Sequence, residues 1–169
     1  NQVMAVKEAI EKGVVIITGG PGTGKTTTIN TIIKVFENND QKVVLAAPTG
    51  RAAKRMSETS NKEAKTIHRL LEMGFGMDSD ELTFMKNEED PIDADVVILD
   101  EVSMVDIVLM YSLLRAIKSG TRLLIVGDSD QLPSVGAGNV LKDLIDSEVI
   151  NTVRLNEIFR QAQESMIVV

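Results

Sequence analysis

Gly19-Gly20-Pro21-Gly22-Thr23-Gly24-Lys25-Thr26 satisfies the pattern G-x-x-x-x-G-K-[ST] in full, directly after a β-branched run and directly before a helix-length segment. No other stretch narrows the possible folds as far. Successive backbone N–H groups can converge on a phosphate only where side chains do not block close approach, hence the glycines. The helix that follows adds the positive end of its dipole. The motif therefore implies a nucleoside triphosphate with magnesium, Lys25 reaching the β- and γ-phosphates and the Thr26 hydroxyl ligating Mg2+.

Short β-branched runs alternate with helix-length segments along the rest of the chain. Strands are predicted at 14–18, 43–47, 96–99, 123–126 and 149–153, and helices at 24–37, 50–57, 66–73, 103–117 and 138–146. Ser103 is the expected N-cap of the fourth helix, with Asp106 as its acidic partner three residues on. Residues 74–93 read as a Gly-containing acidic connection with a short hairpin near 82–85. The alternation predicts an α/β protein with a central, mostly parallel sheet and helices on both faces. Right-handed crossovers then gather the strand C-terminal ends at one edge, where ligands bind.

Two further groups fall at that edge. The strand at 96–99 is wholly apolar, as a strand buried on both faces must be, and it ends in Asp100-Glu101. Neighbouring parallel strands would deliver this pair beside the phosphate loop, Asp100 as a magnesium ligand and Glu101 to orient and deprotonate a water. Gly127-Asp128-Ser129-Asp130-Gln131-Leu132-Pro133 follows the fourth strand, expected between the first and the third, and Gln131 can there bond a γ-phosphate and lose it on hydrolysis.

Composition bounds the rest. Apolar residues make up 43% of 169, ordinary for one globular domain, and with four Phe, one Tyr and no Trp the core must be aliphatic. The absence of cysteine excludes disulfides, thiolate metal sites and a cysteine nucleophile, and it fits a cytoplasmic setting. No run is long enough to span a bilayer, so a membrane partner is not expected. The chain opens at Asn1 and ends in an apolar stretch, 166–169, which reads as a piece of a longer protein. Net charge is −7, but the charges are segregated. Lys42, Arg51, Lys54, Arg55, Lys62, Lys65 and Arg69 face only Glu58 and Glu63, whereas 78–95 holds eight acidic residues against Lys86. A local basic face is what contact with nucleic-acid phosphates requires.

Lesser blocks complete the pattern. Gln2-x-x-Ala5-Val6 precedes the phosphate loop, which extends through Thr27; Pro48-Thr49-Gly50-Arg51-Ala52-Ala53 follows the second strand, and Thr66-Ile67-His68-Arg69-Leu70-Leu71 comes after it. Asp100–Met104, 127–138 and Ile158-Phe159-Arg160-Gln161 close the series. In this order and spacing, across essentially the whole chain, the blocks resemble superfamily 1 DNA helicases, most closely the RecD-like group that moves 5′ to 3′. The resemblance implies a P-loop NTPase of RecA-like three-layer fold, residues 1–169 forming the first of two motor lobes. It implies ATP and Mg2+ as cofactors, bound by Gln2, which reads adenine, and by Gly19, Gly20, Pro21, Gly22, Thr23, Gly24, Lys25, Thr26 and Thr27. It adds Arg160 as an arginine finger, a group that contributes roughly 10³–10⁵ in rate in well-studied triphosphatases. It further implies single-stranded DNA along Pro48, Thr49, Arg51, Thr66 and His68, contacted through the backbone, and a second lobe as partner, in DNA recombination or repair.

Other readings stay open on residues alone: a relaxase-linked helicase domain, another P-loop ATPase of the AAA+ type, a small-molecule kinase, or a nucleotide-gated DNA-binding module that does not unwind. An AAA+ domain would favour Asn at the end of the fourth strand, a kinase has no need of Glu101, and a non-catalytic module would tolerate loss of Lys25, Glu101 or Arg160, all of which are present.

Overall fold

A computed structural model describes residues 1–75 and 82–156. Its elements run α1 (Gln2–Glu11), β1 (Val14–Gly19), α2 (Lys25–Glu37), β2 (Val43–Ala47), α3 (Gly50–Ser60), β3 (Ala64–Thr66), α4 (Ile67–Leu70), β4 (Met73–Phe75), β5 (Leu82–Phe84), β6 (Val96–Leu99), α5 (Ile107–Arg115), β7 (Arg122–Gly127), α6 (Val140–Asp146) and β8 (Asn151–Leu155). Six strands form one sheet in the order β3-β2-β6-β7-β1-β8, and every pairing in it is parallel. A mostly parallel sheet was expected, and β7 does lie between β1 and β6. The Asp100-Glu101 strand is therefore one strand removed from the phosphate loop instead of directly beside it.

Alternation along the strands divides the core in two. Val15, Ile17, Leu45, Val96, Ile98, Leu124 and Val126 face one side, where they meet Ala5 and Ala9 of α1, Ile29, Ile32, Ile33 and Phe36 of α2, and Met56 of α3. Ile16, Ala46, Val97, Leu99, Leu123 and Ile125 face the other, against Ile67 and Leu70 of α4, Leu109, Met110 and Leu113 of α5, and Val140, Leu141 and Ile145 of α6. These are the three layers expected of a RecA-like fold. The burial of these aliphatic chains, with about 25 cal/mol gained per Å2 removed from water, is what holds the sheet between its helices.

Several elements differ from expectation. The helix α1 was not foreseen; two alanines four residues apart, Ala5 and Ala9, are fully buried and let it approach α2 closely. The edge strand β3, three residues long, was not expected: Thr66 was placed at the start of a helix over 66–73, which forms only as Ile67–Leu70. Ser103 does not cap a helix: residues Val102–Met104 form a 3-10 turn, and Asp106 caps α5 instead, its Oδ1 accepting from the Leu109 N–H at 2.8 Å. The last strand starts two residues later than predicted. A hairpin was expected near 82–85; residues Leu82–Phe84 supply only one strand, β5, whose antiparallel partner β4 lies back at Met73–Phe75, with Met73 opposite Phe84.

The charge segregation also resolves into partners. The acidic connection is pinned by basic residues: Arg115 grips Glu88 with two bonds of 2.6 and 2.8 Å, Lys86 meets Asp90 at 3.0 Å and Lys42 meets Asp93 at 2.8 Å. Lys62 pairs with Glu37 at 2.8 Å, and Lys54 lies 4.0 Å from Glu58. Arg51, Arg55, Lys65 and Arg69 are the members of the basic set without an ion pair among the described residues.

Candidate functional site

The parallel register brings the ends of β1, β6, β7 and β2 to one edge. There the chain passes from β1 into the phosphate loop. Gly24 stands at the N-cap of α2 with φ of 86°, a left-handed conformation that a side chain would strain, and no side chain caps the first turn of the helix. Those leading N–H groups are thus free to face an anion. At Gly19 the need is for space: a Cβ would lie 2.6 Å from the Thr23 hydroxyl and 2.8 Å from the Leu155 carbonyl. The buried Thr23 closes the loop by donating to the Gly20 carbonyl at 2.7 Å. Pro21 and Gly22 are exposed at the crown, and Thr26 and Thr27 are exposed in the first turn of α2. Lys25 spans the mouth, its Nζ donating to the Gly19 carbonyl and, at 2.9 Å, to that of Gly20. Gln2 reaches this patch from α1, its Nε2 donating to the Gly24 carbonyl at 3.4 Å.

Asp100 follows β6, and its N–H still donates to Ala46 of β2 at 3.0 Å, so its position is set by the sheet. Its Oδ1 accepts from the N–H of Glu101 at 2.8 Å. Burial pushes the Asp100 carboxyl above its ordinary value, with the Glu101 carboxylate adding to it; the Glu101 N–H bond and the charges of Lys25 and Arg55 pull the other way. A cation nearby would relieve that burial cost. Glu101 adopts φ of 55°, a left-handed kink at which the chain leaves the sheet. Its side chain is only partly buried.

The loop after β7 completes the edge. Gln131 is exposed, and its Oε1 accepts from the Ser103 hydroxyl at 3.3 Å, which joins it to the turn after Glu101. The structure thus brings the loop carrying Lys25, the Asp100-Glu101 pair and Gln131 to one edge of the sheet. Arg160 lies outside the described residues. Three groups in this region escaped the sequence reading. Asp128 is buried, with Oδ2 4.0 Å from where a Gly20 Cβ would stand. Thr18 and Ser129 bond to each other between the two loops. Arg55 acts on Asp100 from α3. Only the fold brings these together, although Asp128 and Ser129 lay inside a quoted block.

A second group sits at the ends of β2 and β3, which the register Ala47 to Thr66 holds side by side. Pro48 and Thr49 are half-buried just past β2, and Arg51 is exposed in the first turn of α3. Thr49 and Thr66 both serve as N-caps, accepting at 3.2 Å from Ala52 and from Arg69. His68 is exposed, with its ring tilted at 57° and 5.7 Å from that of Phe84 in the hairpin. The five residues expected to touch DNA are therefore neighbours at the same edge, next to Asp100 through β2. Among the described residues no helix is long and apolar enough to cross a membrane.

A family profile described as AAA domain matches residues 2–137. The chain is 44% identical over 154 residues to the ATP-dependent RecD2 DNA helicase of Deinococcus radiodurans, covering 91% of this chain and 20% of that protein. It is 38% identical over 169 residues to the RecBCD enzyme subunit RecD of Mycobacterium tuberculosis, covering 86% of this chain and 28% of that one. In structure it resembles the Pif1 helicase from Candida albicans, with a TM-score of 0.68 at 26% identity, over 96% of this chain and 40% of the other. The chain thus spans well under half the length of each of these relatives.

Proposed function

Because the chain belongs to the AAA domain family, with RecD-type helicases among its relatives, we propose that it is the first RecA-like motor lobe of an ATP-dependent DNA helicase. Residues 1–169 are one lobe of a longer protein in this reading, and a second lobe completes the cleft. The observation that carries it is the convergence at one sheet edge of the phosphate loop, the Asp100-Glu101 pair and the Ser103–Gln131 bond.

The residues suit the group they would hold. Uncapped N–H groups at the head of α2, the glycine-shaped loop and the Lys25 ammonium offer an anion what a triphosphate needs. Thr26 and Asp100 would hold Mg2+, which when bound neutralises charge on the phosphate oxygens. Lys25, whose ammonium lies between the Gly19 and Gly20 carbonyls, turns to the phosphate oxygens when the triphosphate binds. Glu101 accepts the proton of the attacking water. Gln131 donates its side-chain amide to the terminal phosphate, its Oε1 already held by Ser103, and Arg160 supplies the finger. Gln2, whose amide lies at the head of α2, reads the adenine.

Pro48, Thr49, Arg51, Thr66 and His68 form the track for single-stranded DNA. With their hydroxyls engaged as caps, Thr49 and Thr66 present backbone amides at helix starts, while Arg51 supplies charge. Movement 5′ to 3′ is part of this proposal, as is work in recombination or repair. The test is ATP turnover by the full-length protein with and without single-stranded DNA. Stimulation by DNA that weakens with salt is expected; equal turnover in both conditions would sink the motor reading.

A further inference from the structure

We propose that Thr18 is a positioning residue for hydrolysis: its buried hydroxyl latches the loop after β7 to the base of the phosphate loop and so sets where Gln131 is presented. This rests on the hydrolytic reading above.

The argument starts where the sheet stops. The ladder between β1 and β7 ends at the pair Thr18 and Gly127, and beyond it the β7 chain turns away. The Ser129 N–H would lose its partner there, but the Thr18 Oγ1 accepts it at 3.2 Å. The two hydroxyls are also 3.3 Å apart, with Thr18 Oγ1 donating to Ser129 Oγ. Thr18 is 2% exposed, so its hydroxyl finds its partner in Ser129 and not in bulk water. Its β-branched side chain has few rotamers, which holds the hydroxyl in one direction.

Ser129 is the pivot of a tight turn. Asp128 Oδ1 accepts from the Asp130 N–H at 3.0 Å, and the Asp128 carbonyl accepts from the Gln131 N–H at 3.2 Å. Fixing Ser129 therefore fixes the direction in which Gln131 leaves the turn, and Ser103 holds the far end of that side chain. On its other side Thr18 is bonded in sequence to Gly19, whose carbonyl receives Lys25. One buried hydroxyl thus joins the loop that binds phosphate to the loop that senses it, without touching substrate itself.

The test compares Thr18→Val and Thr18→Ser with the wild type in the full-length protein. Three quantities are read: kcat for ATP, the Kd of a fluorescent ATP analogue, and amide hydrogen exchange at Ser129. Thr18→Val is expected to lower kcat about tenfold with Kd within about twofold, and to speed exchange at Ser129. Thr18→Ser is expected to restore kcat and slow exchange. A Val variant with unchanged kcat beside an active wild type would overturn this inference alone. So would a loss of kcat and affinity by the same factor that Ser does not rescue, since that marks a structural role. A wild type with no turnover under any condition would overturn the motor reading itself.

Discussion

Lys25 shares its ammonium between the carbonyls of Gly19 and Gly20. Lys25→Ala should weaken ATP binding about 100-fold or more, measured by calorimetry, because a charge-assisted contact to phosphate is lost. Glu101→Gln should leave binding unchanged and cut turnover by about 10²–10⁴; normal turnover would remove Glu101 from the role of base. Asp100 makes the opposite trade with stability. Its carboxyl titrates above the ordinary 3.8 because it is buried, so the folded state holds a proton more tightly than the unfolded chain does. The resulting penalty is absent below the ordinary value, grows as pH rises, and is complete above the raised one. Asp100→Asn should therefore raise Tm at neutral pH, a gain that fades as the scan moves toward pH 4 and is accompanied by loss of Mg2+-dependent turnover. Lys25, Asp100 and Glu101 could be singled out from sequence because each sits in a short contiguous motif. Thr18 was not, since its partner Ser129 is 111 residues away.

Helix ends show where sequence reading reaches its limit at the next scale. Ser103 and Asp106 both favour an N-cap, and spacing alone selected Ser103. The kink at Glu101 decides otherwise: it sends residues Val102–Met104 into a 3-10 turn, buries Ser103 and leaves Asp106 to open α5. Asp106→Ala should cost about 1 kcal/mol, a fall in Tm of about 2–4 °C by calorimetry. Ser103→Ala should leave α5 in place and instead release Gln131. The strands with β-branched cores, β1, β2, β6 and β7, were legible almost to the residue. By contrast α1 carries Val3, Met4 and Ile10 exposed and buries only small alanines, a pattern too faint for periodicity. Equally, β3 has three half-buried residues and exists because β2 pairs with it.

At the scale of the whole molecule, charge must be judged after folding. The acidic connection meets Arg115, Lys86 and Lys42, and Glu37 and Glu58 meet Lys62 and Lys54, which leaves Arg51, Arg55, Lys65 and Arg69 as the unpaired cations of the basic set among the described residues. Arg51→Ala should lower the slope of log affinity for single-stranded DNA against log salt by about 0.7, the share of one phosphate contact. An unchanged slope would take Arg51 off the track. The sequence by itself determined the phosphate loop, the carboxylate pair, the alternation of strand and helix and hence the layered parallel sheet, because each depends on neighbouring residues and a local period. Beyond the expected place of β7 between β1 and β6, only the tertiary structure decided the order β3-β2-β6-β7-β1-β8, the place of Asp128 against Gly20, and the bond from Thr18 to Ser129. These arise where distant strands end together, and the pairing of strand ends is settled by packing of the two cores, which no local pattern encodes. The phosphate loop is therefore written in eight consecutive residues, while the latch that ties it to Gln131 exists only because β7 lies beside β1.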